Sequence, residues 1–285
     1  MTRGLWYGAA AYTIWGTFPL YWRLLRHVPS LDVLAHRIVW SSVALGAIVL
    51  VARRGGALRS VSRPVLRQYA IAAVLIAINW LTYIYGVATE QVVEVSLGYF
   101  ITPLINVLLG TVVLRERLRP LQWAAVAIAS LGVADLTYQH GSLPWIAVGL
   151  AVSFGGYGLV KKTATLPPLE GLTLETIVLL APAVLYLLLG AGGGFRAEDP
   201  VTGALLIGGG LVTIGPLLLF ASAVRRVPLT VIGIIQYLSP TISFLVGVFL
   251  LGEAFSGAQL VGFSLVWAAI ALFTIDGLRH RGAGT

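Results

Sequence analysis

Of the 285 residues, 58% are hydrophobic and only 11% charged, where soluble domains carry about a quarter charged. So few polar groups cannot build a water-facing shell, whereas a bilayer lets apolar side chains face lipid. The formal charge of +8 would suit a nucleic-acid binder in a soluble chain, but here the basic residues punctuate apolar runs and read as topology signals. There is no cysteine, which excludes disulfides, thiolate metal sites and cysteine nucleophiles. The histidines, His27, His36, His140 and His280, show no metal-ligand spacing. No cofactor is expected.

A membrane-crossing helix needs about 20 apolar residues, and the chain predicts ten such spans. In chain order they cover residues 4–22, 31–51, 69–88, 92–114, 121–138, 143–160, 172–190, 201–224, 229–251 and 260–278. The first follows Met1-Thr-Arg directly and reads as a helix rather than a removed leader. The connections are short, the glycine-rich run 190–194 being the loosest. With the N-terminus inside, the inner segments hold fifteen Lys and Arg residues, from Arg3 through the 53–67, 115–119, 161–162 and 225–226 groups to Arg279 and Arg281. The outer segments hold three, Arg23, Arg26 and Arg196, while Arg37 lies within the second span. That asymmetry places both termini in the cytoplasm.

The chain also repeats itself. At an offset of 137, Pro103 meets Pro240, Gly110 meets Gly247, Glu116 meets Glu253 and Gln122 meets Gln259. At 138, Pro29-Ser-Leu-Asp-Val-Leu34 meets Pro167-Pro-Leu-Glu-Gly-Leu172; at 139, Trp6 meets Trp145 and Trp15-Gly16 meets Phe154-Gly155. Matched Pro, Glu and Gln at nearly one offset are hard to obtain by chance. The predicted fold is therefore an all-α integral membrane protein of two five-helix repeats, 1–141 and 142–285. Five is odd, so the second repeat enters the membrane upside down, the inverted-repeat design of many secondary transporters.

The same residues carry a family likeness. Ala11-Tyr-Thr-Ile-Trp-Gly16, Pro19-Leu-Tyr-Trp22, Leu34-Ala-His-Arg-Ile-Val-Trp40, Ala77-Ile-Asn-Trp80 and Glu94-Val-Ser-Leu-Gly-Tyr-Phe100 stand in the first half. Ser153-Phe-Gly-Gly-Tyr-Gly158, Pro216-Leu-Leu-Leu-Phe220 and Gln236-Tyr-Leu-Ser-Pro240 stand in the second. In this order, over almost the whole chain, they resemble the drug/metabolite transporter superfamily with its two EamA-type halves, and more closely the RarD group of chloramphenicol-sensitive proteins. Thr102 and Thr89-Glu90 depart from the pattern, which tends to carry Asn at the first place and Asn-His at the second. The resemblance implies a ten-helix permease of the bacterial cytoplasmic membrane and assigns no cargo.

Polar groups inside a membrane are costly and face a cavity or a partner. His36 and Arg37, two turns into the second span, share the outer side with Glu94. Arg37 and Glu94 read either as a gate or solute-anchoring pair, with His36 open to protonation, or as groups snorkelling to the headgroups. The repeat mate of Arg37 is Glu175, near the inner end of the seventh span, with Lys161 or Lys162 as its candidate partner. Asn79, beside Trp80 and Tyr83, reads as a solute contact; Asn106 reads more readily as a tie between helices. Pro103 and Pro240 remove backbone donors within spans and free carbonyls such as those of Tyr99 and Gln236, and Gly215-Pro216 predicts a break in the eighth span. Trp15, Tyr99, Tyr157, Gln236 and Tyr237 are candidate cavity walls, whereas Trp6, Trp22, Trp123 and Trp145 sit near span ends as interface anchors. Glu116 and Glu253 end their spans and read as caps.

These features predict a secondary-active transporter, an exporter or permease of small organic solutes, metabolites or drugs. Without a G-x-x-x-x-G-K-[ST] motif, ATP is not its own fuel; proton coupling would rest on Glu94, Glu175, Asp135 or His36. The alternatives are a facilitative, channel-like permease and a membrane scaffold without flux. Without H-E-x-x-H or a cluster of intramembrane acids, an enzyme is not expected. The expected partners are a small-molecule solute, the lipid bilayer and protons, not nucleic acid; the oligomeric state is left open.

Overall fold

A computed structural model describes residues 2–89, 91–140, 145–190, 199–250 and 257–279. All regular structure among them is helical: α1 (Thr2–Trp22), α2 (Ser30–Val51), the short α3 (Gly56–Arg59), α4 (Arg63–Ala88), α5 (Val92–Val112), α6 (Pro120–His140), α7 (Trp145–Thr163), α8 (Pro168–Leu189), α9 (Pro200–Val224), α10 (Leu229–Gln236), α11 (Leu238–Leu245) and α12 (Gly257–Arg279). A 3-10 turn, Arg23–Leu25, follows α1, and a π turn, Val246–Leu250, extends α11.

Proline opens several of these helices, where its missing N–H costs nothing and its fixed φ suits the first turn. Pro168 and Pro200 are the first residues of α8 and α9, while Pro29, Pro167 and Pro228 stand one place earlier, at the N-caps of α2, α8 and α10. Asp199 caps α9 by accepting from the amides of Val201 and Thr202 at 2.7 and 2.9 Å, and those bonds, the one from Thr202 foremost, hold its carboxyl below the usual range. Glu116 caps α10 from another helix pair, its two oxygens accepting from the amides of Leu229 and Thr230 at 2.7 and 2.9 Å. That is the capping role its position predicts. Glu253 and the run 191–194 lie outside the described residues. α8 ends on Gly190, whose φ of +68° is the left-handed cap that glycine adopts freely.

Two expectations about helix breaks need correction. α9 runs unbroken through Gly215-Pro216, and α5 runs unbroken through Pro103. A single lost bond is tolerated where the flanking turns stay packed. Among the described residues, the ninth predicted span is the one that divides: α10 ends at Gln236, whose carbonyl has no amide to accept from at Pro240, and α11 restarts at Leu238.

The distribution of polarity is the reverse of a soluble protein's. Arg37, Glu175, Asn79, Asn106 and Gln236 are buried, while Leu50, Val51, Leu188, Leu189 and Phe249 are exposed. Among the described residues, five helices are long and apolar enough to cross a bilayer by length and composition, namely Ser30–Val51, Arg63–Gly86, Pro168–Leu189, Pro200–Val224 and Leu260–Gly277. Such a surface suits lipid, and the chain is a multi-pass membrane protein.

The two halves make matching contacts. Gly16 on α1 comes so close to α11 that a Cβ on it would lie 2.6 Å from the Ile242 Cβ. At offsets of 139 and 137, Gly155 on α7 makes the same approach to α5, 2.5 Å from Ile105 Cγ2. Counterpart helices also touch each other: α2 packs on α8, α5 on α10, and α6 on α12. Counterpart rings do likewise, Trp15 with Phe154 at 5.6 Å and Phe100 with Tyr237 at 6.3 Å. Residues that meet their own repeat mates lie beside an axis relating the halves. Across that axis α2 and α8 run antiparallel: the start of α2 meets the end of α8 through Asp32 and Tyr186, and Arg54, just past α2, meets Glu170 at the start of α8.

Candidate functional site

Arg37 and Glu175 are each the eighth residue of their helix, α2 and α8. Because those helices are antiparallel, the repeat sends the two groups to opposite ends of the bundle. α4 measures the separation: Trp80 lies against Arg37 and Tyr69 near Lys161, eleven residues apart on one helix, or roughly 16 Å at 1.5 Å per residue.

The Arg37 side chain is 3% exposed. Its Nε donates to Thr213 Oγ1 at 2.9 Å, and the Thr213 hydroxyl donates onward to the Gly209 carbonyl at 2.6 Å. The guanidinium carbon lies 3.7 Å from the centroid of the Trp80 ring and 5.1 Å from that of Trp22. Indole faces are the best neutral partners for a desolvated cation. Tyr83 and Tyr99, in edge contact at 5.9 Å, complete the surroundings. A guanidinium has five N–H donors; the Nε bond to Thr213 uses one. The Glu94 side chain lies outside the described residues, so the predicted pair with Arg37 has no geometry. His36 is buried, and its Nδ1 accepts from the Trp40 indole at 3.2 Å. A proton on that nitrogen would displace the Trp40 donor.

The other end carries a closed ion pair. Lys161 Nζ lies 2.6 Å from Glu175 Oε1, and the Tyr157 hydroxyl donates to Oε2 at 3.1 Å. The Lys161 ammonium stands 5.3 and 5.7 Å from the ring centroids of Tyr69 and Tyr157. Lys162, the other candidate, instead donates to the Val227 carbonyl at 2.6 Å.

Between the two ends lies an aromatic cluster. Trp15 contacts Tyr12, Phe154 and Phe220 at 5.4 to 5.7 Å, and Tyr157 stacks on Phe220 at 5.8 Å and 15°. Gln236, where α10 gives way to α11, accepts from Asn106 at 2.7 Å and from the Tyr12 hydroxyl at 3.4 Å. The buried Asn106 Oδ1 and the Tyr237 hydroxyl have no hydrogen-bond partner among the described residues. The Asn79 amide donates to the Leu150 carbonyl at 3.0 Å and Ser153 Oγ at 3.2 Å, tying α4 to α7. Both asparagines thus bridge helices.

Trp22 corrects the reading of span-end tryptophans. Trp6, Trp123 and Trp145 are exposed, but Trp22 is 7% exposed and faces Arg37. The repeat held the signal, since Trp22 plus 139 is Lys161. Thr213, Tyr12 and Phe220 were also invisible to a search for charge, because a hydroxyl or phenyl in an apolar helix has no distinguishing pattern. No cluster of three potential metal ligands occurs among the described residues.

The EamA-like transporter family matches residues 2–138 and again residues 143–275. An uncharacterized transporter of Bacillus subtilis, YojE, is 44% identical over 99% of this chain and 96% of its own. Protein RarD of Streptomyces exfoliatus is 45% identical over 97% and 89%, and the chloramphenicol-sensitive protein RarD of Pseudomonas aeruginosa is 33% identical over 97% and 95%. A solved crystal structure superposes with a TM-score of 0.73 over 96% of this chain and 98% of that one at 20% identity, which shows a shared fold. With the family matching both halves and its RarD relatives aligned end to end, the chain belongs to the EamA-like transporter family and, like its named relatives, is a membrane transporter rather than an enzyme.

Proposed function

We propose that the protein is a secondary-active exporter of small organic solutes, working by alternating access between two inverted five-helix repeats, 1–141 and 142–285, in the bacterial plasma membrane. Ten spans carry it, with both termini in the cytoplasm. The carrying observation is the pair of repeat-related polar clusters, Arg37 at one end and Lys161–Glu175 at the other, flanking the Trp15–Phe154–Phe220 aromatic core. Two such clusters on antiparallel counterparts are two gates, and their exchange of open and closed states is the transport step. The solute lies between them against Trp15, Tyr99, Tyr157, Gln236 and Tyr237, an aromatic setting suited to amphipathic cargo. Trp80 and Tyr83 flank the outer gate beside Arg37, Asn79 and Asn106 fix its wall, and Pro103, Gly215, Pro216 and Pro240 shape the helices around it. Glu94, Glu175 and His36 are the groups through which protons would couple.

The chain has no cysteine, so single cysteines report access without background. Thr213→Cys and Tyr69→Cys, labelled in oriented proteoliposomes by a membrane-impermeant maleimide, should respond reciprocally when a transported solute is added on one side. A phenicol, an aromatic amino acid, a nucleobase and a small amine are the first solutes to test, with saturable uptake measured alongside. Flux that never saturates would indicate a channel. No flux for any solute, with both cysteines unresponsive, would leave a scaffold.

A further inference from the structure

At the Glu175 end of the bundle a carboxylate ties the first half of the chain to the second. α10 starts on Pro228, whose side chain has no group to offer the first amides of the helix. Glu116, from the loop after α5, supplies the acceptors: Oε1 takes the Leu229 amide at 2.7 Å and Oε2 the Thr230 amide at 2.9 Å. The loop is shaped for this reach. Arg115 stands at φ +56°, a left-handed conformation that strains a residue other than glycine, and the Glu116 amide turns back to the Gly110 carbonyl at 2.9 Å. Gly110 leaves the space: a Cβ there would lie 2.7 Å from Glu116 Oε2 and 2.8 Å from Thr230 Cγ2. Lys162, next to Lys161, holds the Val227 carbonyl just before α10, which sets this clamp beside the Lys161–Glu175 pair. A cap by itself needs neither the strained turn nor a distant carboxylate, since a serine or aspartate at position 228 would do the same locally.

The helix held in this way is a separable piece. α10 has eight residues, roughly 11 Å from Leu229 to Gln236 at 1.5 Å per residue. Its far end is the break between Gln236 and Leu238, where Gln236 accepts from Asn106 and Tyr12 at the edge of the aromatic core. Between its ends it leans on α5 through Gly233, whose Cβ would lie 2.7 Å from the Pro103 carbonyl oxygen and 3.2 Å from Asn106 Cβ. Glycine contacts of this kind are van der Waals contacts, and they part without stranding a polar group. The two bonds to the Glu116 carboxylate are charge-assisted, hence the strong attachment at the Leu229 end. Leu229 and Thr230 are at most 2% exposed, so the clamped turn is sealed from water.

We propose that Glu116 is a positioning residue for transport: its carboxylate holds α10 against α5 while this end is closed, and its release lets α10 swing about the Gln236–Leu238 break and open a path to the aromatic core. The proposal rests on the alternating-access reading given above. It separates two closures at one end: the Lys161–Glu175 pair shuts α7 on α8, and Glu116 shuts α10 on α5.

The test uses the full chain in oriented proteoliposomes. Thr230→Cys keeps the amide that Glu116 holds and places a single thiol in the sealed seam, since the chain has no cysteine of its own. Adding Glu116→Gln should raise the rate at which a membrane-impermeant maleimide labels that thiol from the Glu175 side by about tenfold, the loss expected for one charge-assisted bond. Gly110→Ala, which drives a methyl into the clamp from the other side, should act in the same direction and serves where Glu116→Gln does not fold. A cap that merely frays would also expose Thr230→Cys, so the deciding readout is at the far end. With Thr213→Cys added and first labelled from the Arg37 side by a bulky impermeant maleimide, that end is wedged open, and the gain at Thr230→Cys should disappear. An unchanged Thr230→Cys rate in both Glu116→Gln and Gly110→Ala would overturn the proposal. So would a gain that survives the wedge, because α10 would then loosen without any link to alternation. Saturable solute flux in the unsubstituted chain together with either of those results would leave the transporter reading intact and remove the clamp; no flux for any solute, with the wedge still suppressing the gain, would do the reverse.

Discussion

The two ends of the bundle occupy the same place in the repeat and solve burial of charge in different ways. At the Glu175 end the chain closes the account internally: Lys161 and Tyr157 take both carboxylate oxygens, and both charged side chains are almost wholly buried. At the Arg37 end the described neighbours are a threonine hydroxyl and two indole faces. The repeat preserves position and reverses charge. Duplication therefore fixes where a polar group sits, while the local helices decide what balances it. A closed pair resists change in either partner. A cation held by π faces and a hydroxyl tolerates loss of charge and keeps N–H donors for something else.

The largest expected effect follows from that contrast. Lys161→Met strands Glu175 and should cost about 3–5 kcal/mol, whereas Lys161→Met with Glu175→Met should recover most of it, because the desolvation penalty goes with the second charge. Urea or thermal unfolding in one detergent measures both. A double variant no more stable than the single would show that the pair is not the unit that matters. Arg37→Met should cost less, about 2–3 kcal/mol for a desolvated cation–π contact and one charge-assisted hydrogen bond. Its effect on solute flux should be larger than its effect on stability. Arg37→Lys keeps the charge but not the planar stack on Trp80 or the Nε bond to Thr213, so it should resemble Arg37→Met in flux. If Arg37→Met proves as destabilising as Lys161→Met, Arg37 has a buried carboxylate partner and the two ends are alike.

The glycine contacts sharpen the comparison at the level of packing. Gly16→Ala and Gly155→Ala should each cost about 1–3 kcal/mol through overpacking. Their rescue should differ. At Gly155 the obstacle is the Ile105 Cγ2, 2.5 Å from the new methyl, and Ile105→Ala removes it. At Gly16 the obstacle is the Ile242 Cβ itself at 2.6 Å, which Ile242→Ala retains. A double-mutant cycle should therefore show coupling at 155 and 105 and little at 16 and 242. Equal rescue at both would mean that the second approach relaxes by backbone movement.

How much of this was legible in the sequence depends on residue type. The all-helical membrane character and an ion pair between Glu175 and one of Lys161 and Lys162 were readable because glutamate and lysine are rare in apolar helices and stand out there. At Asn79 the aromatic neighbours, Trp80 and Tyr83, suggested a solute wall, while the helix tie that its amide makes to α7 depends on the rotation of α4, which the sequence does not display. Gly215-Pro216 looked like a break because proline removes a donor, but the packing of α9 against α1 and α2 holds the helix through it. Thr213 could not be found, since a threonine acquires meaning only when Arg37, 176 residues away, donates to it.

The smallest expected effect concerns the two acids at the helix starts, and it has a sign. Glu170 has a cation, Arg54, that is 49% exposed and therefore screened by solvent, so Glu170→Gln should destabilise by no more than about 1 kcal/mol. Asp32 Oδ1 has no partner among the described residues, and Asn keeps an oxygen acceptor there. Removing the Asp32 charge takes away an uncompensated burial cost, so Asp32→Asn should leave unliganded stability unchanged or slightly raised. Thermal unfolding of the two variants side by side decides the matter at low cost. If Asp32→Asn is the more damaging, its carboxylate is already balanced within the chain, and the two ends differ in residues but not in principle. If it is neutral while Glu170→Gln is costly, the two halves have diverged in chemistry: one end completes its ion pair from its own sequence, and the other leaves a charge for which the chain supplies no counterpart.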